Sequence, residues 1–465
     1  MNEIASFLKQ AKHFLMTGDL AAAKYFYFRA AEIDPNSSLP RLALGTIALK
    51  ESHLAEAKAH FLSVLSLDNR NIDACLALGA IAMEERSYQE GLSYYEKALF
   101  LDDKCLTAYN DLCLFYYHEV FDFDKALYYA QKSFAIEPRQ FWVSSVLSEL
   151  DIFNGNWQGG FSNHAKNYPF YENYDNAVYR AFEALPLWQG ENFSGKRLII
   201  GDHAGFGGFG DIFLLARWLK ALKARGGRVV LPLRVELIRL FEEIGVVDEI
   251  IAYDENEILS KVTPENFDLR VPLIFLPGIF GISEQNVGEE VPYLWSNPSL
   301  TADFSEFLKK DSKLRVGIVW ASGKRGNPRK TCGLEVLKPL FEITAVTWYS
   351  LQPEAILGQH SKVFPCNFDI IDLTDKLDDF AATAALIDNL DLVISVDTAA
   401  AHLAGAMGKP VWLILSYGLD WRWLKDINHS PWYPSMRIFR AKGPGNWEDV
   451  VKEIFNALQN LAKDK

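Results

Sequence analysis

The chain has 465 residues, 49% hydrophobic and 23% charged, enough for about three domains of ordinary size. A net charge of -13 leaves no basic field to gather phosphate backbones or anionic lipid, so no nucleic acid or membrane partner is expected. Five cysteines without a Cys-x-x-Cys pair indicate neither a disulfide framework nor a zinc site. The first residues lack a secretory pattern, and the longest apolar stretches are broken by proline and glycine; a soluble, cytoplasmic chain with no transmembrane segment is expected.

The first 167 residues repeat themselves. Ala23, Ala57 and Gly91 stand 34 residues apart, and Tyr27, Phe61 and Tyr95 follow at the same offset. Leu44-Gly45 and Leu78-Gly79 precede the small residues at matching distances, and Pro35 and Pro138 stand where such a unit closes. The period is that of the tetratricopeptide (TPR) repeat. A fourth unit carries one inserted residue, placing Ala126 at the small position, and Gly155 to Gly160 reads as a fifth, partial unit. Small side chains let two helices approach, and neighbouring pairs bury one apolar layer. Asp122-Phe123-Asp124 spells D-x-D, but it falls in an inter-helix turn and is not taken as a metal site.

After an aromatic connector from residue 168, the pattern changes. Arg197 to Gly201 reads as a buried strand before a glycine turn, Asp211 to Arg225 as a helix and Val229 to Leu231 as the next strand. A polar stretch around Val291 to Leu314 separates this half from a second series of strands at Val316 to Trp320, Val346 to Leu351 and Leu392 to Val396. The expected domains are 1–167, 168–312 and 313–465: a helical repeat array, then two Rossmann-like halves facing a cleft.

Gly205, Gly207 and Gly210 fit the dinucleotide pattern, but the second strand ends in Leu233-Arg234 without the acid that would hold a nicotinamide ribose. Glycines that let a backbone approach a ligand remain. Asp211, at the start of the helix, has two readings: a base for an acceptor hydroxyl, or a helix-capping carboxylate. The densest signal is the strand ending on Asp397-Thr398, followed by Ala399, Ala400 and Ala401 at a helix start, an anion site by its free amides. His402, one turn inside, is either a ligand contact or a core histidine. Lys324, Arg325, Arg329, Lys330 and Thr331 form either a phosphate clamp or a solvated loop.

Ser395 to Ala399 with His402, Gly405, Gly408 to Trp412, Asp420-Trp421-Arg422-Trp423 and Ser430 to Pro434 resemble the C-terminal half of bacterial tetratricopeptide-repeat glycosyltransferases, relatives of the lipopolysaccharide heptosyltransferases and, more distantly, of O-GlcNAc-transferase-like enzymes. Trp188-Gln189-Gly190, Gly208-Phe209-Gly210-Asp211, Ala216-Arg217-Trp218, Gly317 to Trp320 and Ser350-Leu351-Gln352 agree in order. The resemblance implies a TPR solenoid followed by an α/β module of the GT-B fold. It also implies a metal-independent inverting transfer without a cofactor and a nucleotide-sugar donor held by the C-terminal half. By that likeness Asp211 is the general base, while Gly208, Gly210, Lys330, Thr331, Gln352, Asp397, Thr398, Ala399, Ala400 and His402 bind the donor. Where relatives carry an acid and a glutamine before the Gly-x-Gly-Asp element, this chain has Phe206 and Gly207; an acid before Thr383 is replaced by Ala382.

Transfer of a sugar to a protein or glycan hydroxyl is the expected function. The repeats would hold the acceptor, with flagellin or another surface protein preferred because an extended polypeptide suits a repeat groove. The rival readings are a non-catalytic TPR adaptor with a degenerate transferase module and an NAD(P)-dependent enzyme.

Overall fold

A computed structural model describes all residues except 1, 168–176, 202–207, 323–329, 353–367, 419, 425–426, 444 and 464–465. The chain divides into two compact units, Met1–Leu147 and Ser148–Lys465.

The first unit is built from helical hairpins: Asn2–Thr17 with Leu20–Ile33, Ser38–Lys50 with Leu54–Leu67, Ile72–Glu84 with Tyr88–Leu101, and Leu106–Phe115 with Phe123–Ile136. The sequence period has a steric cause. A β-carbon on Gly45 would lie 2.9 Å from the Phe61 ring, and one on Gly79 would lie 2.9 Å from the Tyr95 ring. Each aromatic therefore lies against the glycine of its partner helix, and the two must recur together. The residue inserted in the fourth unit is absorbed by a π-helical turn at Tyr116–Val120, a common way to take in one extra residue. Asp122 caps the next helix by accepting the Lys125 N–H at 3.1 Å, which accounts for the D-x-D spelling.

In the second unit, strands β1 (Arg197–Ile200), β2 (Arg228–Leu233), β3 (Glu249–Ala252) and β4 (Leu269–Val271) form a parallel sheet in the order β3-β2-β1-β4. Strands β5 (Leu314–Val319), β6 (Val346–Ser350), β7 (Ile370–Ile371), β8 (Leu392–Val396), β9 (Val411–Leu415) and β10 (Met436–Arg440) form another, ordered β10-β9-β8-β5-β6-β7 and also parallel. Every residue of β6 and β8 is buried, as expected of strands covered on both faces. In each sheet the chain winds outward from its first strand and then returns to that strand's other side. The point of reversal, beside β1 and beside β5, opens a crevice at the carboxyl ends of the strands.

Two sequence boundaries differ from the packing. The helix expected over 211–225 is three pieces, Phe209–Leu215, the 3₁₀ turn Ala216–Trp218 and Leu219–Lys223. The tighter turn accompanies burial of Arg217, whose guanidinium donates to Leu214 O at 2.9 Å, Tyr293 Oη at 3.0 Å and Trp432 O at 3.1 Å. The helix Trp157–Asn167, placed with the repeats by its pattern, packs into the second unit: Trp157 lies 5.2 Å from Trp432, and Phe161 lies edge-on to Trp421 at 5.6 Å, ring centre to ring centre. The segment between the two sheets is anchored as well, since the Tyr293 and Leu294 amides donate to Ala406 O at 3.0 and 3.3 Å.

Candidate functional site

β8 is buried along its whole length, and Asp397 is the first residue past its carboxyl end, at the reversal beside β5. Thr398, in an extended conformation, is the N-cap residue of helix Ala399–Ala406. Its hydroxyl pairs with the Ser395 hydroxyl at 2.9 Å, and its carbonyl accepts the amides of Ala401 and His402. The amides that begin the helix, on Ala399 and Ala400, lie at the end where a helix binds anions. Ala400 is itself buried, so its contribution would come from the backbone.

His402 is only 2% exposed. Its Nδ1 lies 2.9 Å from Tyr433 Oη and its Nε2 lies 3.5 Å from Asp397 Oδ1. Behind it, Tyr293 donates to Phe213 O at 2.9 Å while its oxygen accepts from Arg217 at 3.0 Å.

The loop after β5 supplies a cation. Lys330 donates to Asp397 and lies 3.5 Å from Asp420 Oδ2. Burial would depress the Lys330 ammonium, but Asp397 and Asp420 outweigh it and hold the pKa above the usual lysine value. Burial likewise opposes ionisation of Asp397, yet Lys330 and His402 keep that carboxyl well below the usual carboxylate range. Thr331 Oγ1 accepts the Ser322 N–H at 3.1 Å, closing the same loop. Gln352 is fully buried. Its Oε1 accepts from Trp320 N and Ala321 N at 3.2 and 2.9 Å, and its Nε2 donates to Ala321 O at 3.2 Å. The carboxamide therefore fastens the end of β5. Lys324, Arg325 and Arg329 lie outside the described residues, as do Gly205, Phe206 and Gly207.

From the other sheet comes the glycine turn after β1. Gly208 is the N-cap residue of helix Phe209–Leu215, and Asp211 completes a capping arrangement by accepting the Gly208 N–H on Oδ2 at 3.1 Å. Its Oδ1 accepts from Arg422, by Nε at 3.0 Å and by a terminal nitrogen. The capping reading of Asp211 thus holds for one oxygen, while the other faces the opposite half. Gly210 is required to be small: a β-carbon there would stand 2.7 Å from His402 Cδ2. The two helices therefore touch near their starts, which brings Asp211 beside the Asp397 cradle.

The sequence pattern alone gives no role to Arg422 and Asp420. The arginine bridges the halves, donating to Asp211 and, through a terminal nitrogen at 2.9 Å, to Asp420 Oδ1, and it lies on the Trp421 ring with 4.3 Å to the ring centre. An arginine between two aspartates and two tryptophans in Asp420-Trp421-Arg422-Trp423 was the available signal. His164 was missed outright, since it belongs to a helix read as part of a repeat. Burial and then the charge of Arg422 push its imidazole down to about 4. Among the described residues no cluster of His, Cys, Asp and Glu is arranged to hold a metal ion, and no helix is long and apolar enough to cross a membrane.

Residues 355–418, which include Asp397, Thr398 and His402, match the sequence model of glycosyltransferase family 9 (heptosyltransferase). The chain is 30% identical over 296 residues to Protein FlbA of Caulobacter vibrioides, an alignment covering 59% of this chain and 48% of that protein. It thus spans about half the length of the curated relative it matches. Solved structures with local likeness include a thermophilic TPR protein of Thermus thermophilus (17% identity, TM-score 0.30, 36% of this chain and 92% of that one). Another is MamA from Desulfovibrio magneticus (17%, 0.33, 38% and 99%). A third is pilF of Pseudomonas aeruginosa (19%, 0.33, 39% and 82%). The chain combines TPR-type helical hairpins with a parallel α/β module, and the segment that matches the glycosyltransferase family 9 model lies in the second sheet of that module.

Proposed function

We propose that this chain transfers a sugar from a nucleoside-diphosphate donor to a hydroxyl of a protein, flagellin or another surface protein, or of a glycan, by a metal-independent inverting displacement. The observation that carries the reading is the meeting of Asp211 with the Asp397–Lys330–His402 cradle at the reversal points of two parallel sheets. The donor diphosphate would lie on the amides of Ala399 and Ala400, with Thr398, His402, Lys330 and Thr331 around it and Gly208 giving close backbone approach, while Gly210 would act by leaving room for the His402 ring. Gln352 would act by fixing the Lys330 loop. The acceptor oxygen attacks the anomeric carbon, the bond from that carbon to the diphosphate oxygen breaks, and Asp211 takes the hydroxyl proton. Lys330 and Arg422 supply positive charge for the leaving diphosphate. The hairpin repeats offer the surface for an extended acceptor polypeptide.

The test is a panel of nucleotide sugars assayed for release of nucleoside diphosphate and for calorimetric affinity, in wild type, His402→Ala and Thr398→Val. Loss of a hydrogen bond to a charged group is worth about 1.5–3 kcal/mol, so each variant should bind the preferred donor about ten- to a hundredfold more weakly. A wild-type protein that binds a nucleotide sugar but turns none over with any acceptor would favour the adaptor reading.

A further inference from the structure

Five charged side chains form one line across the site. Asp397 pairs with Lys330, Lys330 reaches Asp420, Asp420 accepts from Arg422, and Arg422 holds Asp211. Three carboxylates thus share two cations, and a diphosphate that binds here must compete for charges already paired. The two aspartates hold Arg422 by different edges. Asp420, two residues away in the same turn, accepts the Arg422 backbone N–H at 3.0 Å and one guanidinium nitrogen at 2.9 Å. Asp211 comes from the other half and takes the forked edge, with Nε at 3.0 Å and a second nitrogen both donating to Oδ1, while Oδ2 accepts the Gly208 amide.

We infer that Arg422 is a counter-ion shared in alternation by Asp211 and the donor's diphosphate. When the diphosphate takes the guanidinium, Oδ1 of Asp211 is released as a proton acceptor. The inference rests on the donor-site reading above and assigns a residue and an order of events to it. A guanidinium offers a planar fork that suits phosphate oxygens at least as well as a carboxylate, and a doubly charged anion attracts it more strongly than a singly charged one. Trp421 lies beneath the guanidinium and is itself backed by Phe161, giving the fork a fixed platform on which to exchange partners. The base is thereby set free only once the donor is in place. Transfer should follow a donor-first order, and Asp211 should oppose donor binding rather than support it.

The sign of one effect decides the matter. Inorganic pyrophosphate and a set of nucleoside diphosphates are titrated calorimetrically into the full chain as wild type, Asp211→Asn, Arg422→Gln and Arg422→Lys, each checked for an unchanged thermal midpoint. Asparagine keeps the size and capping ability of Asp211 and removes its claim on the arginine. Asp211→Asn should therefore bind the best of these ligands about tenfold or more tightly than wild type. Arg422→Gln should bind about tenfold or more weakly, and Arg422→Lys, which keeps charge without the fork, should fall between wild type and Arg422→Gln. If Arg422 only ties the halves together, Asp211→Asn leaves affinity unchanged or lowers it, and the inference is overturned while wild-type binding upholds the donor site. Wild-type protein that binds neither pyrophosphate nor any nucleoside diphosphate overturns both.

Discussion

The ring of His402 occupies the space that a side chain on Gly210 would need, with Cδ2 2.7 Å from the place of a β-carbon. This contact joins the helix start after β1 to the helix that follows β8. His402 has little room to retreat, being buried, hydrogen-bonded to Tyr433 and packed 5.0 Å from the Trp423 ring centre. Gly210→Ala should therefore push the two halves apart at the site. The expected cost is about 1–3 kcal/mol, the usual range for overpacking, and it should be read as a lower thermal midpoint together with weaker nucleotide affinity. A variant as stable as wild type would show that the contact yields easily.

Asp211→Asn should reduce sugar transfer by about 10²–10⁴-fold, the usual contribution of a positioned general base. The loss belongs to turnover, since asparagine can still accept the Gly208 N–H that Oδ2 now takes. Turnover within about threefold of wild type, at matched thermal stability, would remove Asp211 as the base. His203, which precedes the glycine run and lies outside the described residues, would then be the next candidate.

His164 carries a pH dependence of stability. Its folded-state pKa is depressed from 6.5 to about 4, so the unfolded chain binds this proton at a higher pH than the folded chain does. Stability from this group is complete above about pH 6.5 and is lost as pH falls toward 4, by roughly 2 kcal/mol at pH 4.5. Thermal midpoints at pH 7 and pH 4.5 should differ more in wild type than in His164→Gln. Equal differences in the two proteins would assign the acid sensitivity to other groups.

The helix Trp157–Asn167 should be indispensable to the transferase module. A chain of residues 141–465 keeps Trp157 against Trp432 and Phe161 against Trp421, whereas one of residues 177–465 leaves those indoles without their partners. Removing large buried aromatics costs about 3–5 kcal/mol each. The longer chain should be soluble and bind nucleotide, and the shorter should aggregate or melt well below it. Equal melting of the two would place the helix with the repeats after all.

The sequence by itself determined what depends on neighbours along the chain. The 34-residue period could be read because glycine and aromatic must recur together to let each hairpin close, as Gly45 with Phe61 and Gly79 with Tyr95. The buried strands and the small-residue helix start after Asp397 were legible for the same reason, since local burial and local sterics leave a pattern in consecutive residues. Tertiary structure alone decided which charges meet. Arg422 reaches Asp211 from a segment 211 residues away because two sheets turn the same ends of their strands toward each other. Gln352 fastens a loop instead of presenting its amide, and a helix with a repeat's pattern packs its aromatic face inside the second unit, to which it belongs. A side chain's partner is fixed by where distant backbones converge, and spacing along the chain carries no record of that.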